Sequence, residues 1–407
     1  MKFSLSSSEL AERLQAIGKV INTKNQMSIL DCFLFEVSGD TLKITASDNE
    51  NTLVTTLKIN EAGEDFRFAI NAKTVLDAVK GIPEQPVTFN VDMQKFNTTV
   101  NYQNGHFSLV SQNADEYPSY TDFPEDSAEI KVDSKLLLDS VGRALFATAP
   151  TDSAHPVMSG VLFDITQKDE TNNEGANVSI VASDGRKLEY TRWANENNVQ
   201  AGQYVLSNKP ALLLRSLLAR ESGEITMRFA KEKAEVRMNT FSMTCRLIDG
   251  KFPAYNKVVP KNNPNRLTVN RMAFINMLRR VLVFSDAVSS LVKLHMEADQ
   301  LVTSVQNIDY SLSAEESMIC EYDGMPMNIG FKGTTLVDFL NNIECENIEF
   351  QIADQSRAVI IVPSPQPNAV KDDGGNAKSK EEIVMLLMPS FINDGCKNKN
   401  KSNETES

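Results

Sequence analysis

The sequence predicts an α+β protein built from three copies of one domain. Three stretches each give a short alternating strand followed at once by an amphipathic helix; they lie at 2–5, 130–133 and 267–270. A second strand-to-helix unit follows in each copy, at 68–71, 205–208 and 329–332. The 407 residues and a repeat spacing of roughly 130 residues together favour three domains.

The segments between the helices alternate apolar and polar residues with a period of two. The clearest lie at 41–45, 98–102, 178–181, 235–238 and 348–352. This period is typical of antiparallel strands with one buried face. Each copy is therefore predicted to contain two β-sheet halves with one helix per half, and with the helices on one side of the sheets.

The predicted domains span residues 1–126, 127–262 and 263–392. Residues 363–382 combine Pro, Gly, Lys and Glu and hold too little apolar area to order themselves, so they predict a flexible insertion in a hairpin. The polar residues 393–407 predict a disordered tail.

The net charge of −13 is unevenly distributed. The predicted helices lie at 5–24, 71–82, 134–148, 208–221, 270–286 and 332–343. They carry about +7 in all, which leaves about −20 for the rest of the chain. At 100° per residue, Lys73, Lys80, Arg215 and Arg280 fall opposite the apolar faces of their helices. A solvated helix face explains one such helix, but recurrence in several favours a basic surface for phosphates.

Signals for catalysis, metals and cofactors are missing from the sequence. The three histidines lack metal-ligand spacing, and no nucleotide-binding loop or serine nucleophile elbow occurs, so neither a metal nor a cofactor is predicted. Ser183, Asp184 and Gly185 are interpreted as a polar turn. The five scattered cysteines predict reduced, mostly buried thiols. With no secretory signal and no apolar run of about 20 residues, the chain is expected in the cytoplasm and not in a membrane.

Several motifs together resemble one family. Residues 183–188 read Ser-Asp-Gly-Arg-Lys-Leu, and residues 249–260 hold the run Asp-Gly-Lys-Phe-Pro-Ala-Tyr. Ser28-Ile29-Leu30 precedes a strand at 42–48, and Leu386-Leu387-Met388-Pro389 lies near the end. With the threefold repeat, these motifs resemble the bacterial DNA polymerase III beta subunit family of sliding clamps, from residue 1 to about residue 392.

The resemblance implies a non-catalytic processivity factor of a DNA polymerase holoenzyme. Two chains of three clamp-type domains would join head to tail into a ring whose twelve helices surround duplex DNA without reading its sequence. Lys24 leads the DNA-binding candidates, because residues 22–26 follow the first helix where the family has a DNA-touching loop. The full set is Lys24, Lys73, Lys80, Arg143, Lys209, Arg215, Arg279 and Arg280.

The resemblance also implies an apolar pocket for short peptides between the second and third domains. Its implied partners are the polymerase alpha subunit, the clamp loader complex and other replication and repair proteins. The matching positions are Met158, Ser183, Gly185, Arg186, Lys187, Leu188, Pro253, Lys257, Val258, Ala358, Leu386, Met388 and Pro389. The chain departs from the family at Ser390-Phe391-Ile392, where many members end soon after the Met-Pro pair.

For the homodimer, the resemblance places Phe107 and Leu109 of one chain against Val283 and Phe284 of the other.

Two other function classes stay open on the residues alone. A hydrolase or nuclease would need grouped carboxylates or a Cys/His pair at equivalent places in the copies, and none is visible. A repeat-built adaptor that binds only proteins would suit the acidic total. Retention on circular but not on linear DNA separates it from a clamp.

Overall fold

The fold is seen in a computed structural model of the chain. It describes residues 1–25, 27–60, 64–119, 123–167, 175–195, 199–365, 369–371, 377–379 and 381–392. The predicted tail, 393–407, lies outside the described residues, as do residues 366–368, 372–376 and 380 of the predicted insertion at 363–382. Within that insertion the backbone pairs Ala369 with Ser379 and Lys371 with Ala377.

The elements fall into three repeats. The first comprises β1 Lys2–Ser6, α1 Ser7–Ile17, β2 Cys32–Ser38, β3 Thr41–Ser47, β4 Asn51–Lys58, β5 Phe66–Asn71, α2 Ala72–Lys80, β6 Pro86–Asp92, β7 Asn97–Tyr102 and β8 Gly105–Gln112. The second comprises β9 Ala128–Asp133, α3 Ser134–Ala147, β10 Gly160–Thr166, β11 Asn177–Ser183, β12 Lys187–Ala194, β13 Gly202–Ser207, α4 Asn208–Leu218, β14 Glu224–Phe229, β15 Lys233–Arg237 and β16 Phe241–Ile248.

The third repeat begins at β17 and carries the hairpin insertion. It comprises β17 Asn265–Asn270, α5 Arg271–Leu282, β18 Leu291–Met296, β19 Gln300–Asn307, β20 Leu312–Ile319, β21 Glu321–Tyr322, β22 Met327–Lys332, α6 Gly333–Asn341, β23 Asn347–Ile352, β24 Val359–Ser364, β25 Ala369–Lys371, β26 Ala377–Ser379 and β27 Glu381–Leu387.

The pairing of strands confirms the predicted repeat. The opening strand of each copy pairs antiparallel with the strand after the second helix, as β1 with β6, β9 with β14 and β17 with β23. The two helices of each copy pack on each other, α1 on α2, α3 on α4 and α5 on α6. The strand-to-helix junction recurs because a polar residue at the strand end caps the helix. The caps with a side-chain acceptor include Ser6, Asn71, Asp133 and Asn270.

The predicted first helix, 5–24, was too long. The α-helix ends at Ile17, and Gly18–Val20 form a 3₁₀ turn, so Lys19 and Lys24 lie beyond it. With Glu9, Glu12 and Arg13, α1 is itself net acidic. The six α-helices of the described chain therefore carry about +5, less than the predicted +7.

The chain divides into two compact units. The first holds Met1–Asp184 and Tyr190–Pro253, and the second holds Gly185–Glu189 and the chain from Ala254 onward. In the first unit, β4 of the first repeat pairs with β16 of the second, so one sheet runs through both repeats. A single apolar core follows it, from Phe3 and Phe89, stacked at 4.9 Å, to Phe163 and Phe229.

The second unit contains two antiparallel sheets beneath α5 and α6. One has the order β20-β19-β18-β22. In the other, β17 pairs with β21 and β23, β23 with β24, and β24 with β27. Phe274 of α5 meets Phe350 of β23 edge-on at 5.9 Å in its core.

β8 and β20 each keep a free edge among the described residues. In β8, the stretch from Gly105 to Val110 pairs with β7 alone. In the second unit, β20 is the last strand of its sheet and pairs with β19. An open row of backbone N–H and C=O groups is a ready template for a further strand.

Candidate nucleic-acid interface and protein-binding surfaces

The four helices of the first unit form one layer. Beyond the α1/α2 and α3/α4 pairs, polar contacts join the α1 and α4 regions. Arg220 Nη1, just after α4, lies 3.1 Å from Glu12 Oε1 of α1, and Lys19 Nζ, just after α1, lies 3.3 Å from Ser216 Oγ of α4. The guanidinium of Arg13 on α1 also lies 5.4 Å from the ring centroid of Phe241. The two repeats are thus fixed to each other through both the sheet and the helices.

Four of the predicted DNA-binding side chains are exposed on this helix layer or its loops. They are Lys24, Lys73, Lys80 and Arg215. Lys19 was not among the predicted residues, but it is also exposed, in the 3₁₀ turn beside α4. The available signal was the apolar pattern of Ile17 and Val20, which leaves the intervening Lys19 on the open side.

Arg279 and Arg280 lie at the end of α5 in the second unit, and both are exposed. Arg279 Nη2 is 3.4 Å from Asn341 Oδ1. Arg280 makes two hydrogen bonds with the carboxylate of Glu316, one of them from Nε at 3.0 Å. These bonds hold the pKa of the Glu316 carboxyl below its usual value, so the charge of Arg280 is already balanced.

Arg143 does not extend from the helix layer as predicted. Its side chain is half-buried, and Nε donates to Thr191 Oγ1 at 3.1 Å, toward β12 and the sheet beneath. The resemblance placed Arg143 among the DNA-binding candidates, but a long side chain can fold back over its own helix to reach a polar partner in the sheet.

Lys209 also has a different place from the predicted one. Its ammonium donates to the carbonyl oxygen of Val20 at 2.7 Å and to Asn22 Oδ1 at 2.6 Å, and it forms an ion pair with Asp48. The Asp48 side chain is 4% exposed. Burial alone would raise the pKa of Asp48, but hydrogen bonds from Lys209 and Asn51 outweigh it and hold that pKa below its ordinary value. Lys209 therefore joins the two repeats of the first unit.

Most of the predicted peptide-pocket residues lie in the second unit. The backbone N–H of Met388 donates to the carbonyl of Arg186 at 3.0 Å, and Leu386 of β27 pairs with Ile360 of β24. Leu188 and Leu386 are buried, whereas Val258 is 60% and Met388 45% exposed. The second unit, which carries Arg186, therefore contains two buried leucines and two exposed apolar side chains from the predicted pocket.

The remaining pocket candidates of the second unit are positioned by local contacts. The Ala358 carbonyl accepts from Asn263 Nδ2 at 3.0 Å, and Lys257 N–H donates to the Ala254 carbonyl at 3.1 Å. Gly185 has φ +87°, which favours glycine in this turn. Lys187 begins β12, and Pro389 follows β27.

At the divergent C-terminus, the backbone is tied to β22 while one aromatic ring faces outward. Ser390 N–H donates to the Gly330 carbonyl at 2.8 Å. Phe391 is left exposed. The segment that departs from the family is therefore held to β22 at Ser390 and carries an exposed phenylalanine.

Three pocket candidates lie in the first unit. Met158 and Ser183 are buried there, and Pro253 is exposed at its end. The nearby Gly250 has φ +131°, and an added Cβ would lie 2.8 Å from Val157 Cγ1. This explains why the motif at 249–253 contains glycine at that position.

Two of the predicted dimer residues lie on β8, and the other two lie just after α5. Phe107 and Leu109 on β8 are half-buried and pack on the core of the first unit. In the second unit, Val283 and Phe284 follow α5 and are 75% and 41% exposed. Exposed apolar side chains beside an open strand edge are typical of a protein–protein contact.

Reactive side chains are few in the described chain. Cys32, Cys245 and Cys320 are buried free thiols, and burial raises the pKa of Cys245 to about 12 and those of Cys32 and Cys320 to about 11. No three His, Cys, Asp or Glu side chains of the described ranges group to hold a metal ion. No helix in those ranges combines the length and apolar composition needed to cross a bilayer.

Comparison with protein families matches three consecutive domain models. The N-terminal domain of the DNA polymerase III beta subunit matches residues 1–121, its central domain residues 131–254, and its C-terminal domain residues 256–372. The beta sliding clamp of Haemophilus influenzae is 26% identical over 367 residues, 89% of this chain and 95% of that protein. The beta sliding clamp of Escherichia coli K12 is 23% identical over 369 residues, 91% and 98% of the two chains.

Solved structures share the fold. A sliding clamp (DNA polymerase III subunit beta) from Pseudomonas aeruginosa superposes with a TM-score of 0.85 at 22% identity, over 96% of this chain and all of that one. The DNA polymerase III beta subunit of Thermotoga maritima gives a TM-score of 0.81 at 24% identity, over 96% and 99% of the two chains. The three-repeat architecture is thus the one found in those proteins.

Proposed function

Because the chain belongs to the DNA polymerase III beta subunit family, we propose that it is a DNA polymerase processivity factor, a sliding clamp without catalytic activity of its own. Two chains close head to tail around duplex DNA, and the ring tethers the polymerase. The observation that carries the proposal is the threefold repeat, in which the edge of β8 in the first repeat and the edge of β20 in the third are unpaired among the described strands.

The repeat itself supports the mode of closure. In the first unit, β4 pairs with β16. By position in the repeat, β20 corresponds to β4 and β8 corresponds to β16, and both keep a free edge among the described strands. A second copy satisfies both edges when its β20 pairs with β8, and the same contact at the other end closes the ring.

The register of this contact follows from the same equivalence. Within the first unit, Thr244 lies opposite Thr52. When the β7–β8 hairpin is matched by its turn to the β15–β16 hairpin, Ser108 occupies the position of Thr244. When the β19–β20 hairpin is matched in the same way to the β3–β4 hairpin, Leu312 occupies the position of Thr52. We therefore place Ser108 of one chain opposite Leu312 of the other.

Ser108→Cys combined with Leu312→Cys is expected to cross-link two chains on mild oxidation, because directly opposed Cβ atoms lie about 4.5–5.5 Å apart in an antiparallel pair. Non-reducing electrophoresis measures the covalent dimer. The matched control is Ser108→Cys with Ala314→Cys, which shifts one partner by two residues, and each single variant controls for native thiols. Equal cross-linking of the shifted pair would show that the register is wrong.

The DNA-facing surface that we propose is the helix layer with its exposed cations, Lys19, Lys24, Lys73, Lys80 and Arg215. In the second unit, Arg279 is a further exposed candidate, and Arg280 is a weaker one because Glu316 balances its charge. Arg143 and Lys209 are left out because their donors reach protein partners. Enclosure holds the ring on DNA, so weak and non-specific phosphate attraction is sufficient and permits sliding.

Reversing the charge of Lys24, Lys73 and Arg215 to Glu is expected to weaken DNA binding and loading with the fold intact, because the three side chains are exposed. If each meets one phosphate, the slope of log K against log salt decreases by about 3 in magnitude. Titrations from low to high salt measure it. The control is Lys58, Lys95 and Lys131 to Glu, the same charge change on exposed lysines outside the helices. Equal losses in both variants would mean that net charge, and not this surface, governs binding.

The direct test of the function is loading onto nicked circular DNA with a clamp loader and ATP. We expect the protein to stay on the circle and to fall off once the DNA is linearised. Retention on linear DNA would contradict topological enclosure and favour ordinary binding.

The exposed apolar surface of the second unit, with Arg186, Val258 and Met388 above Leu188 and Leu386, is the proposed docking site for peptides of the polymerase alpha subunit, the clamp loader and other replication and repair proteins. Short extended peptides bind such surfaces through a few large apolar side chains. The proposed domain bounds stay at 1–126, 127–262 and 263–392, and the proposed compartment is the cytoplasm.

A further inference from the structure

We propose that Lys209 is a positioning residue of the DNA surface: its ammonium, balanced by the buried Asp48, holds the segment from Val20 to Asn25 so that Lys24 faces the duplex. Lys209 does not itself bind phosphate. The inference rests on the proposed DNA-binding function and concerns how one loop of that surface is held.

The donors of Lys209 are fully used within the protein. A lysine ammonium has three N–H donors. They reach the carbonyl oxygen of Val20 at 2.7 Å, Asn22 Oδ1 at 2.6 Å and the carboxylate of Asp48. A phosphate could bind Nζ only by displacing one of these partners.

Asp48 is in turn held by its own turn between β3 and β4. Its Oδ1 accepts from the N–H groups of Glu50 at 3.0 Å and Asn51 at 2.7 Å, and Oδ2 accepts from Asn51 Nδ2 at 3.0 Å. A buried carboxylate with this many donors has a fixed position. The ion pair therefore ties α4 of the second repeat to a rigid point in the first.

The segment that carries Lys24 is fastened on both sides. Lys209 holds it at Val20 and Asn22. On the far side, Asn25 Nδ2 donates to Asp31 Oδ1 at 2.7 Å and to the carbonyl of Asn22 at 3.3 Å. Lys24 lies between these anchors with its side chain exposed. Loss of the Lys209 anchor frees one end of the segment.

The helix itself gives no reason for a lysine at this position. Lys209 is the second residue of α4, and a cation near a helix N-terminus opposes the helix dipole. No acidic residue in the first turn of α4 offsets it. Asp48, from the other repeat, supplies the compensating charge. The contact across the repeats, and not helix stability, thus accounts for this lysine.

For Asp48→Asn, the proposal predicts a change in DNA affinity opposite to the change that net charge alone would produce. Asp48→Asn removes a negative charge near the DNA surface, which by charge alone strengthens binding. If the ion pair positions the loop, Asp48→Asn instead weakens DNA binding at least about threefold. The double variant Asp48→Asn with Lys209→Met then binds DNA no less tightly than whichever single variant binds it less tightly, because both changes break the same interaction. The control is Asp40→Asn, which removes the same charge from an exposed pair with Lys58.

Hydrogen exchange tests the anchor without DNA. Amides of residues 20–25 are expected to exchange faster in Asp48→Asn and Lys209→Met, with those of α2 unchanged. Asn22→Ala keeps both charges and removes one link to the loop, so it serves if either charge variant fails to fold. We expect it to speed exchange in the same segment and to weaken DNA binding.

The outcomes separate this inference from the proposed function. A wild-type protein that is not retained on circular DNA contradicts the function, whatever the exchange data show. A wild-type protein that is retained, with Asp48→Asn or Asn22→Ala binding DNA as tightly as wild type or more tightly, overturns the inference. A salt slope reduced by about 0.9 in Lys209→Met alone would instead make Lys209 a direct phosphate ligand.

Discussion

Replacing Val283 and Phe284 with alanine is expected to turn the dimer into monomers. Both side chains are exposed in the single chain, beside the end of α5. Burying such a side chain fully contributes about 1.5–3 kcal/mol, and a ring of two chains has two equivalent seams. The double replacement truncates two side chains at each of the two seams, so even the lower value amounts to about 6 kcal/mol of lost binding free energy. That loss corresponds to a dissociation constant raised roughly 10⁴-fold. Sedimentation velocity from nanomolar to micromolar concentration measures the shift.

The matched control is Met272→Ala, which truncates an exposed apolar side chain at the opposite end of α5. We expect it to leave the dimer unchanged. If the double variant also sediments as an undiminished dimer at nanomolar concentration, the seam lies elsewhere, and the free edges of β8 and β20 need another explanation.

Local sequence signals predicted the repeat and its strands well. Each strand-to-helix junction combines a period-two strand with a residue such as Asn71 or Asp133 that caps the next helix, and both signals act within a few residues. The end of α1 was less predictable. Apolar spacing continues through Ile17 and Val20, and only the backbone turn at Gly18 shows where the α-helix stops.

The roles of the basic side chains depended on partners far away in the sequence. Helical-wheel geometry places Arg280 outward, but it carries no information about Glu316. The resemblance put Lys209 among the DNA-binding candidates, but it carries no information about Asp48. Asp48 is 161 residues from Lys209 along the chain. Charge patterning therefore located the helix layer but could not separate cations that face solvent from those that hold the protein together.

The proposed surface for partner peptides follows from the resemblance and not from a sequence pattern. Leu386 and Leu188 look like ordinary strand residues, and they are indeed buried. What distinguishes the site is the meeting of the Arg186 turn with Met388, joined by a backbone hydrogen bond of 3.0 Å. No local signal in either segment predicts that contact, because it pairs residues about 200 positions apart.

Met388→Asp is expected to abolish binding of a clamp-binding peptide and stimulation of the polymerase, while the dimer and DNA enclosure persist. The side chain is partly exposed, and its backbone N–H keeps the bond to Arg186, so the fold tolerates the change. A carboxylate there would have to be desolvated against the apolar side chains of the incoming peptide. Wild-type affinity should be modest, about 1 μM or weaker, because a flexible peptide loses conformational freedom on docking. Calorimetric titration with a peptide holding a Gln and two or three large apolar residues measures the loss.

Met325→Asp is the matched control, since it introduces the same charge at an exposed methionine of the same unit. It should bind the peptide as wild type does. If Met388→Asp also keeps wild-type affinity, peptides dock elsewhere, and the exposed Phe391 beyond the pinned Ser390 becomes the first place to look. A Phe391→Ala titration then distinguishes the two: loss of binding there, with Met388→Asp intact, would mean that the divergent C-terminus has moved the site along the chain.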